Sequence, residues 1–158
     1  MNNFFSINII FLMLLSVYSC VSNNSNSIET KIIGVWQLER EFSNEEEDGP
    51  LKEFLLSSCE KLTTLEVLMN GRFIEKSYYE DFGTGGECVK DTWGIQGDWE
   101  KGSEGTFNFK YDKNNILFFD NSTVAIENGK LIISIVYYDS DLRYKTMLKF
   151  IYTKKLNY

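Results

Sequence analysis

An all-β fold, an eight-stranded antiparallel up-and-down barrel, is predicted by three features of this 158-residue chain. Aromatic residues make up 15% of it and proline occurs once, a balance that suits pleated, half-buried strands. Short runs alternate apolar with polar residues between Gly- and Asn-containing breaks, and no long helical period appears beside them. The runs follow one another through links short enough for hairpins. A meander of about eight strands favours closure, because closure removes the edges that an open sheet would expose. At most a short helix after the first strand fits this pattern.

The N-terminus reads as an address. Phe4 to Leu15 is an apolar run broken by Ser6 and Asn8. It is too short to span a bilayer, which takes roughly 20 apolar residues, and fits the apolar part of a signal peptide. Val17, Tyr18 and Ser19 then lead to Cys20. This stretch resembles a bacterial lipobox, which implies removal of residues 1–19 and a diacylglycerol on the Cys20 thiol. Residues 20–30 follow as a polar, Asn- and Ser-rich tether, and residues 31–158 hold the barrel. An ordinary secretory leader cut elsewhere, or a buried N-terminal helix, is the competing reading. Three cysteines cannot all pair internally. With Cys20 acylated, Cys59 and Cys88 remain for one bridge in an oxidising compartment, against two free buried thiols.

The strands can be placed in order. In "IIGVWQLEREF" (Ile32 to Phe42), Trp36, Leu38 and Phe42 share one face and Gln37, Glu39 and Glu41 the other. "SNEEEDGP" is an acidic loop, and "LKEFLLSSCE" (Leu51 to Glu60) is a short helix or an irregular segment. In Lys61 to Glu80, Asn70-Gly71 divides two β-rich runs as a type I′ hairpin would. A glycine-rich loop, "DFGTGGECVK", carries Cys88. Trp93, Ile95 and Trp99 then alternate with polar residues, and after a turn at Lys101 to Gly105 so do Phe107, Phe109 and Tyr111. "ILFFD" follows, and Asn128-Gly129 marks a second type I′ turn. Leu131 to Tyr138 is apolar on both faces, which predicts a strand covered on both sides. In the last strand Tyr144, Leu148, Phe150 and Tyr152 oppose Arg143, Lys145 and Lys149.

Composition narrows function. The chain has no histidine and a net charge of −7. Without histidine, the commonest general base and metal ligand is missing, as is every Ser-His or Cys-His pair. The negative charge disfavours a nucleic-acid partner. No catalytic residue, metal site or cofactor is predicted. The acidic runs Glu45 to Asp48 and Asp139/Asp141 lack calcium-loop spacing and read as solvated loops. "DFGTGG" lacks the Lys and Ser/Thr of a phosphate loop.

The ordered set "IIGVWQLERE", "CEKLTTLEVLMNGRF" and "GECVKDTWGIQGDW" resembles the small lipocalin-like domain lipoproteins of Gram-negative bacteria. It covers roughly Ile32 to Thr153. The resemblance implies an eight-stranded barrel, a Cys59–Cys88 bridge and outer-membrane anchoring through Cys20. Lipocalins also pack an Arg near the last strand over the first-strand Trp. Here Arg143 opens that strand and Lys154 and Lys155 close it, so the Arg has no clear counterpart.

An aromatic-lined concavity is the default binding site. Its candidates are Trp36, Leu38, Trp93, Trp99, Phe107, Phe109, Tyr144, Leu148 and Phe150, which otherwise simply fill the barrel. Tyr78, Tyr79, Tyr137, Tyr138 and Tyr144 suit a cavity mouth, where an apolar ring and a polar tip both find partners. The sequence thus predicts a non-enzymatic, envelope-anchored protein binding a small apolar or amphipathic ligand. The alternative is a protein-binding or inhibitory lipoprotein with a filled barrel.

Overall fold

The computed structural model describes residues 31–92, 94–113 and 120–156, without the side chain of Thr84. The expected leader 1–19, the tether 20–30 with Cys20, Trp93 and nearly all of "ILFFD" lie outside the described residues.

The strands are β1 (Gly34–Asn44), β2 (Leu51–Phe54), β3 (Thr64–Val67), β4 (Arg72–Lys76), β5 (Tyr78–Asp81), β6 (Glu87–Lys90), β7 (Gln96–Lys101), β8 (Phe107–Tyr111), β9 (Asn121–Glu127), β10 (Lys130–Asp139) and β11 (Tyr144–Lys154). Single 3-10 turns span Glu60–Leu62 and Phe82–Thr84. Eight strands run β1-β3-β4-β7-β8-β9-β10-β11, and β11 pairs back onto β1, so the barrel is closed and has no free edge. Its neighbouring strands are all antiparallel. The strands β5 and β6 form a separate ribbon, and β2 pairs with β1 alone.

The closed sheet gives each strand one inward face. From β10, Leu131, Ile133 and Ile135 point in and are buried, while Val136 and Tyr138 point out and are 64% exposed. The expectation that this strand is covered on both sides is therefore wrong. A barrel this size has one interior, and its outer wall meets solvent. Each fully buried apolar side chain stabilises the fold by about 1.5–3 kcal/mol relative to exposure.

At one end, the base, lie the start of β1, the β3–β4, β7–β8 and β9–β10 turns and the end of β11. At the other end, the mouth, lie the end of β1, β2, the β5–β6 ribbon and the β10–β11 turn.

Three local details differ from the sequence reading. The register between β1 and β11 slips between Leu38 and Arg40, leaving Glu39 as an extra bulged residue. A one-residue bulge reverses the alternation beyond it. Trp36 and Leu38 face inward as expected, but Phe42 turns to the outer wall, where the Arg40 guanidinium sits 4.7 Å from its ring centre. Glu41 takes the inward parity instead. Next, Leu51 to Glu60 does not open as a helix. Its first four residues pair as β2 with the far end of β1, and Arg40 clasps Glu53 through two bonds of 2.8 and 2.6 Å. Last, Asn70-Gly71 is not type I′. Only Gly71 takes a positive φ, its N–H donates to the Leu68 carbonyl (3.3 Å), and the Leu68 N–H donates to Arg72 (2.9 Å). That is a longer loop closed by a glycine bulge, with the Asn70 side chain accepting the Arg72 N–H at 3.1 Å. At Asn128 and Gly129 both φ angles are positive, as a type I′ turn requires.

Candidate functional site

Aromatic rings fill the middle of the barrel. Phe73 of β4 stacks on Phe109 of β8 with ring centres 4.2 Å apart, and Tyr111 meets Phe73 edge-on at 5.4 Å. Gly97 of β7 lies against this stack. A β-carbon there would stand 2.8 Å from the Phe73 ring and 2.1 Å from the Lys110 carbonyl, so the packing requires glycine. Phe73 is followed along the inward face of β4 by Glu75, towards the mouth. Phe109 is preceded on β8 by Phe107, towards the base. The stack therefore separates two concavities.

The mouth recess has a volume of about 200 Å³ and is lined by Leu38, Glu41, Glu60, Thr63, Glu75, Ser77, Tyr78, Phe150 and Tyr152. Three carboxylates share it. Glu75 accepts the Tyr152 hydroxyl at 2.8 Å and the Ser77 hydroxyl at 2.9 Å. Burial raises its pKa above the usual carboxylate range, and those hydroxyl bonds offset part of the rise. Glu41 is raised first by burial and then by the negative charges of Glu60 and Glu75. Burial, followed by the adjacent Glu75, pushes the Tyr152 phenol well above its normal value. No Lys or Arg lines the recess among the described residues. Three carboxyl groups are thus gathered in a partly desolvated space that resists the ionisation of Glu41 and Glu75, with no counter-cation in its lining among the described residues.

The wall of this recess is strapped. Cys59 and Cys88 form a disulfide with Cα atoms 5.1 Å apart, joining the segment that carries Glu60 and Thr63 to β6. Tyr78 of β5 pairs with Lys90 of β6, so the bridge holds both loop walls of the mouth together. Asn44 closes the seam above. Its side chain donates to the Lys145 carbonyl at 3.0 Å and accepts the Met147 N–H at 2.6 Å.

The base cleft is larger and carries the opposite charge. It encloses about 600 Å³ between Lys31, Trp36, Gly105, Phe107, Ile126, Asn128, Gly129 and Lys154. The Lys154 ammonium lies 5.2 Å from the Trp36 ring centre and donates to the Lys31 carbonyl at 3.2 Å. Trp36 in turn donates its indole N–H to Ile32 at 2.8 Å. Gly34 makes this crossing of β11 onto β1 feasible. It holds φ +134°, and a β-carbon would meet the Lys154 Cε at 3.0 Å. Lys154 is therefore the cation that covers the first-strand Trp, where the sequence showed no clear Arg.

The sequence candidates divide between these places. Trp36 and Phe107 line the base cleft, and Leu38 and Phe150 line the mouth recess. Phe109 belongs to the central stack. Trp99 is half-buried, donates its indole N–H to Leu68 at 2.8 Å and meets Phe107 edge-on. Leu148 packs partly buried against the core, and Tyr144 is half-buried at the start of β11. Among the tyrosines, Tyr78 reaches the recess and Tyr137 packs on the core, whereas Tyr79 and Tyr138 are exposed. Glu41, Glu75 and Lys154 were not singled out. Glu75 was legible, because it shares the parity of Phe73 in "RFIEK". Glu41 was not, because the bulge is invisible in the alternation.

The acidic run Glu45 to Asp48 is exposed. Asp139 accepts the N–H groups of Asp141 and Leu142 at 2.9 and 3.0 Å, which is turn-forming work. No cluster of His, Cys, Asp or Glu is placed to hold a metal ion among the described residues. None of their helices is long and apolar enough to cross a membrane.

No protein-family profile and no curated protein sequence matches the chain. Among solved structures, the chain is similar to bovine odorant binding protein in complex with a selenium-containing odorant. That match has 14% identity and a TM-score of 0.41, over 82% of this chain and 74% of that one. A deswapped triple mutant of bovine odorant binding protein matches at 16% identity and a TM-score of 0.36, over 80% and 76% of the two chains. The closed barrel itself rests on the strand pairings described above.

Proposed function

We propose that this protein is a non-enzymatic, lipid-anchored binding protein of the bacterial envelope, whose barrel mouth takes a small amphipathic ligand with a protonated amine head. The observation that carries the ligand reading is the mouth recess, where Glu41, Glu60 and Glu75 converge with no Lys or Arg in the lining among the described residues. A recess of about 200 Å³ is smaller than the roughly 300–1,000 Å³ of a drug-sized pocket. It fits a head group, with the apolar part of the ligand left on the rim. Leu55 and Leu62 are exposed on the same segment that supplies Glu60 and Thr63, and offer that rim. An ammonium would replace its lost hydration with charge-assisted hydrogen bonds donated to carboxylates that burial has made more basic acceptors. The tyrosine hydroxyl at Tyr152 holds Glu75 in place for this role.

The address rests on the lipobox resemblance at Cys20 and on the resemblance to Gram-negative lipocalin-like lipoproteins. The Cys20→Ser substitution should release the protein from the membrane with its fold intact. Retention in the membrane fraction would refute the anchor.

Thermal-shift measurement on the purified protein tests the ligand. Amphipathic primary amines should raise Tm, while the matching alcohols and carboxylates should not. A ligand at one hundred times its Kd adds about 2.7 kcal/mol of stability. Native mass spectrometry of protein from its own host should show a bound cationic small molecule. No shift with any amine and no co-purifying mass would sink the reading.

One observation favours the alternative of a protein partner. The aromatic stack fills the barrel centre, while Leu55 and Phe82 are 97% and 85% exposed on the mouth loops. A stoichiometric envelope protein captured through those loops, with no small molecule bound, would establish it.

A further inference from the structure

We infer that the base cleft is a second ligand site, for an organic anion with an apolar body, on the opposite side of the Phe73–Phe109 stack from the mouth recess. Trp36 and Phe107 underlie the cleft as fully buried rings, and Ile126 gives it partly exposed apolar surface. The only charged side chains around it, among the described residues, are Lys31 and Lys154. Neither is in an ion pair among the described residues, whereas several other basic groups near strand ends are. Lys130 is held by Glu39, Lys52 by Glu45, and Arg72 by Asp98 and Asp112. The Lys154 ammonium is already fixed over the Trp36 ring and on the Lys31 carbonyl, so a ligand would not pay to immobilise it. Its remaining protons and the exposed Lys31 ammonium point to a carboxylate, sulfate or phosphate. The volume of about 600 Å³ lies inside the usual range for a small-molecule pocket.

The physical logic is the reverse of the mouth. There the protein supplies buried negative charge and a head-sized space. Here it supplies exposed positive charge above an apolar floor. An anion enters apolar end first, burying its body against Ile126 and the aliphatic stems of Lys31 and Lys154 above the buried Trp36 and Phe107, while the two ammoniums hold the head at the solvent boundary. Asn128 and Gly129 form the tight turn on the far rim, so that rim keeps one shape.

Photo-labelling of the full-length protein tests this and keeps the two ends apart. The probe is a long-chain carboxylate carrying a diazirine near its tail, and the control is the corresponding alcohol. The carboxylate should label the peptides containing Trp36, Phe107 or Ile126, and the alcohol should do so about tenfold less, since a hydrogen bond to a charged group is worth roughly that factor. The Lys31→Gln/Lys154→Gln variant should lose the preference for the carboxylate. If that variant fails to fold by circular dichroism, Ile126→Trp fills the cleft with both lysines retained and should abolish the labelling. Equal labelling by acid and alcohol, or unchanged labelling in the folded variants, would overturn the proposal. Labelling confined to peptides of the mouth would overturn it too, whereas failure of the amine reading at the mouth would leave it standing.

Discussion

At the mouth, Glu41, Glu60 and Glu75 face a recess of about 200 Å³; at the base, Lys31 and Lys154 rim a cleft of about 600 Å³. The same strands build both ends. On β1, Trp36 reaches the base and Glu41 the mouth, five residues along one strand with a bulge between them. On β11, Lys154 reaches the base and Phe150 the mouth. A closed barrel thus separates opposite charges along its axis, and the aromatic stack between them keeps one end from reporting directly on the other. The two ends also differ in how they are held. The mouth is strapped by a covalent bridge between loops, whereas the base relies on tight turns and on the Lys154–Trp36 contact.

The largest expected effect comes from removing the partition itself. Phe109 is fully buried and stacked on Phe73, so Phe109→Ala should cost about 3–5 kcal/mol in chemical denaturation, the range for buried Phe truncation. A loss below that range would mean that neighbouring side chains collapse into the space, so that the stack is not a rigid partition. The next effect belongs to the mouth. Replacing Cys59 and Cys88 by Ala opens a loop with a sequence separation of 29 and should cost roughly 3–4 kcal/mol on the chain-entropy estimate. Hydrogen exchange should then speed up in the segments around Glu60 and β6 more than in the β9–β10 turn. Equal acceleration at both ends would show that the bridge stabilises the whole barrel and not the mouth.

The barrel was legible in the sequence because inward-outward alternation survives in most strands: Phe107, Phe109 and Tyr111, or Leu148, Phe150 and Tyr152, follow it without interruption. Its bridge was one of two readings of the cysteine count, and the resemblance implied it. The mouth was much less legible. Its acidic character depends on Glu41, whose inward position comes from the bulge at Glu39, and a bulge changes parity without changing composition. Likewise β2 forms because β1 runs past the end of β3 and needs another partner there, a tertiary demand that overrides the helical spacing of Leu51, Phe54 and Leu55. At the base, Gly34 and Trp36 were visible as a motif. The reason for the glycine was not, since it lies in a lysine more than one hundred residues away.

A third test sharpens the charge difference. Burial raises the folded-state pKa of Glu75 above its ordinary value of 4.5. The fold therefore binds that proton more tightly than the unfolded chain does. Stability from this group is highest below 4.5 and falls as pH rises through the folded value. Glu75→Gln keeps an acceptor for the Tyr152 hydroxyl and removes the charge. It should gain about 0.5–2 kcal/mol at neutral pH, the usual size of a relieved unfavourable charge, and show little gain below the ordinary carboxylate value. The same variant should lose amine binding at the mouth. A variant less stable than the parent at neutral pH would mean that the carboxylate is satisfied as it stands.

The smallest effect is at the base, and it asks whether the two ends are independent. Lys154→Met keeps most of the aliphatic stem over Trp36 and removes the ammonium, so it should cost about 0.5–1 kcal/mol, the value of an exposed cation–π contact. Lys154→Arg should recover that loss, because a guanidinium stacks on the same ring. The informative measurement is the double variant with Glu75→Gln. Among the described residues, Lys154 and Glu75 share no hydrogen-bond partner, and they lie on opposite sides of the Phe73–Phe109 stack. Their effects should therefore add within about 0.3–0.5 kcal/mol. Repeating the cycle in the Phe109→Ala background removes the intervening ring, and a coupling that appears only there would assign the insulation to the stack. A coupling already present in the parent protein would instead mean that charge at the mouth is felt at the base, and that the two sites act as one.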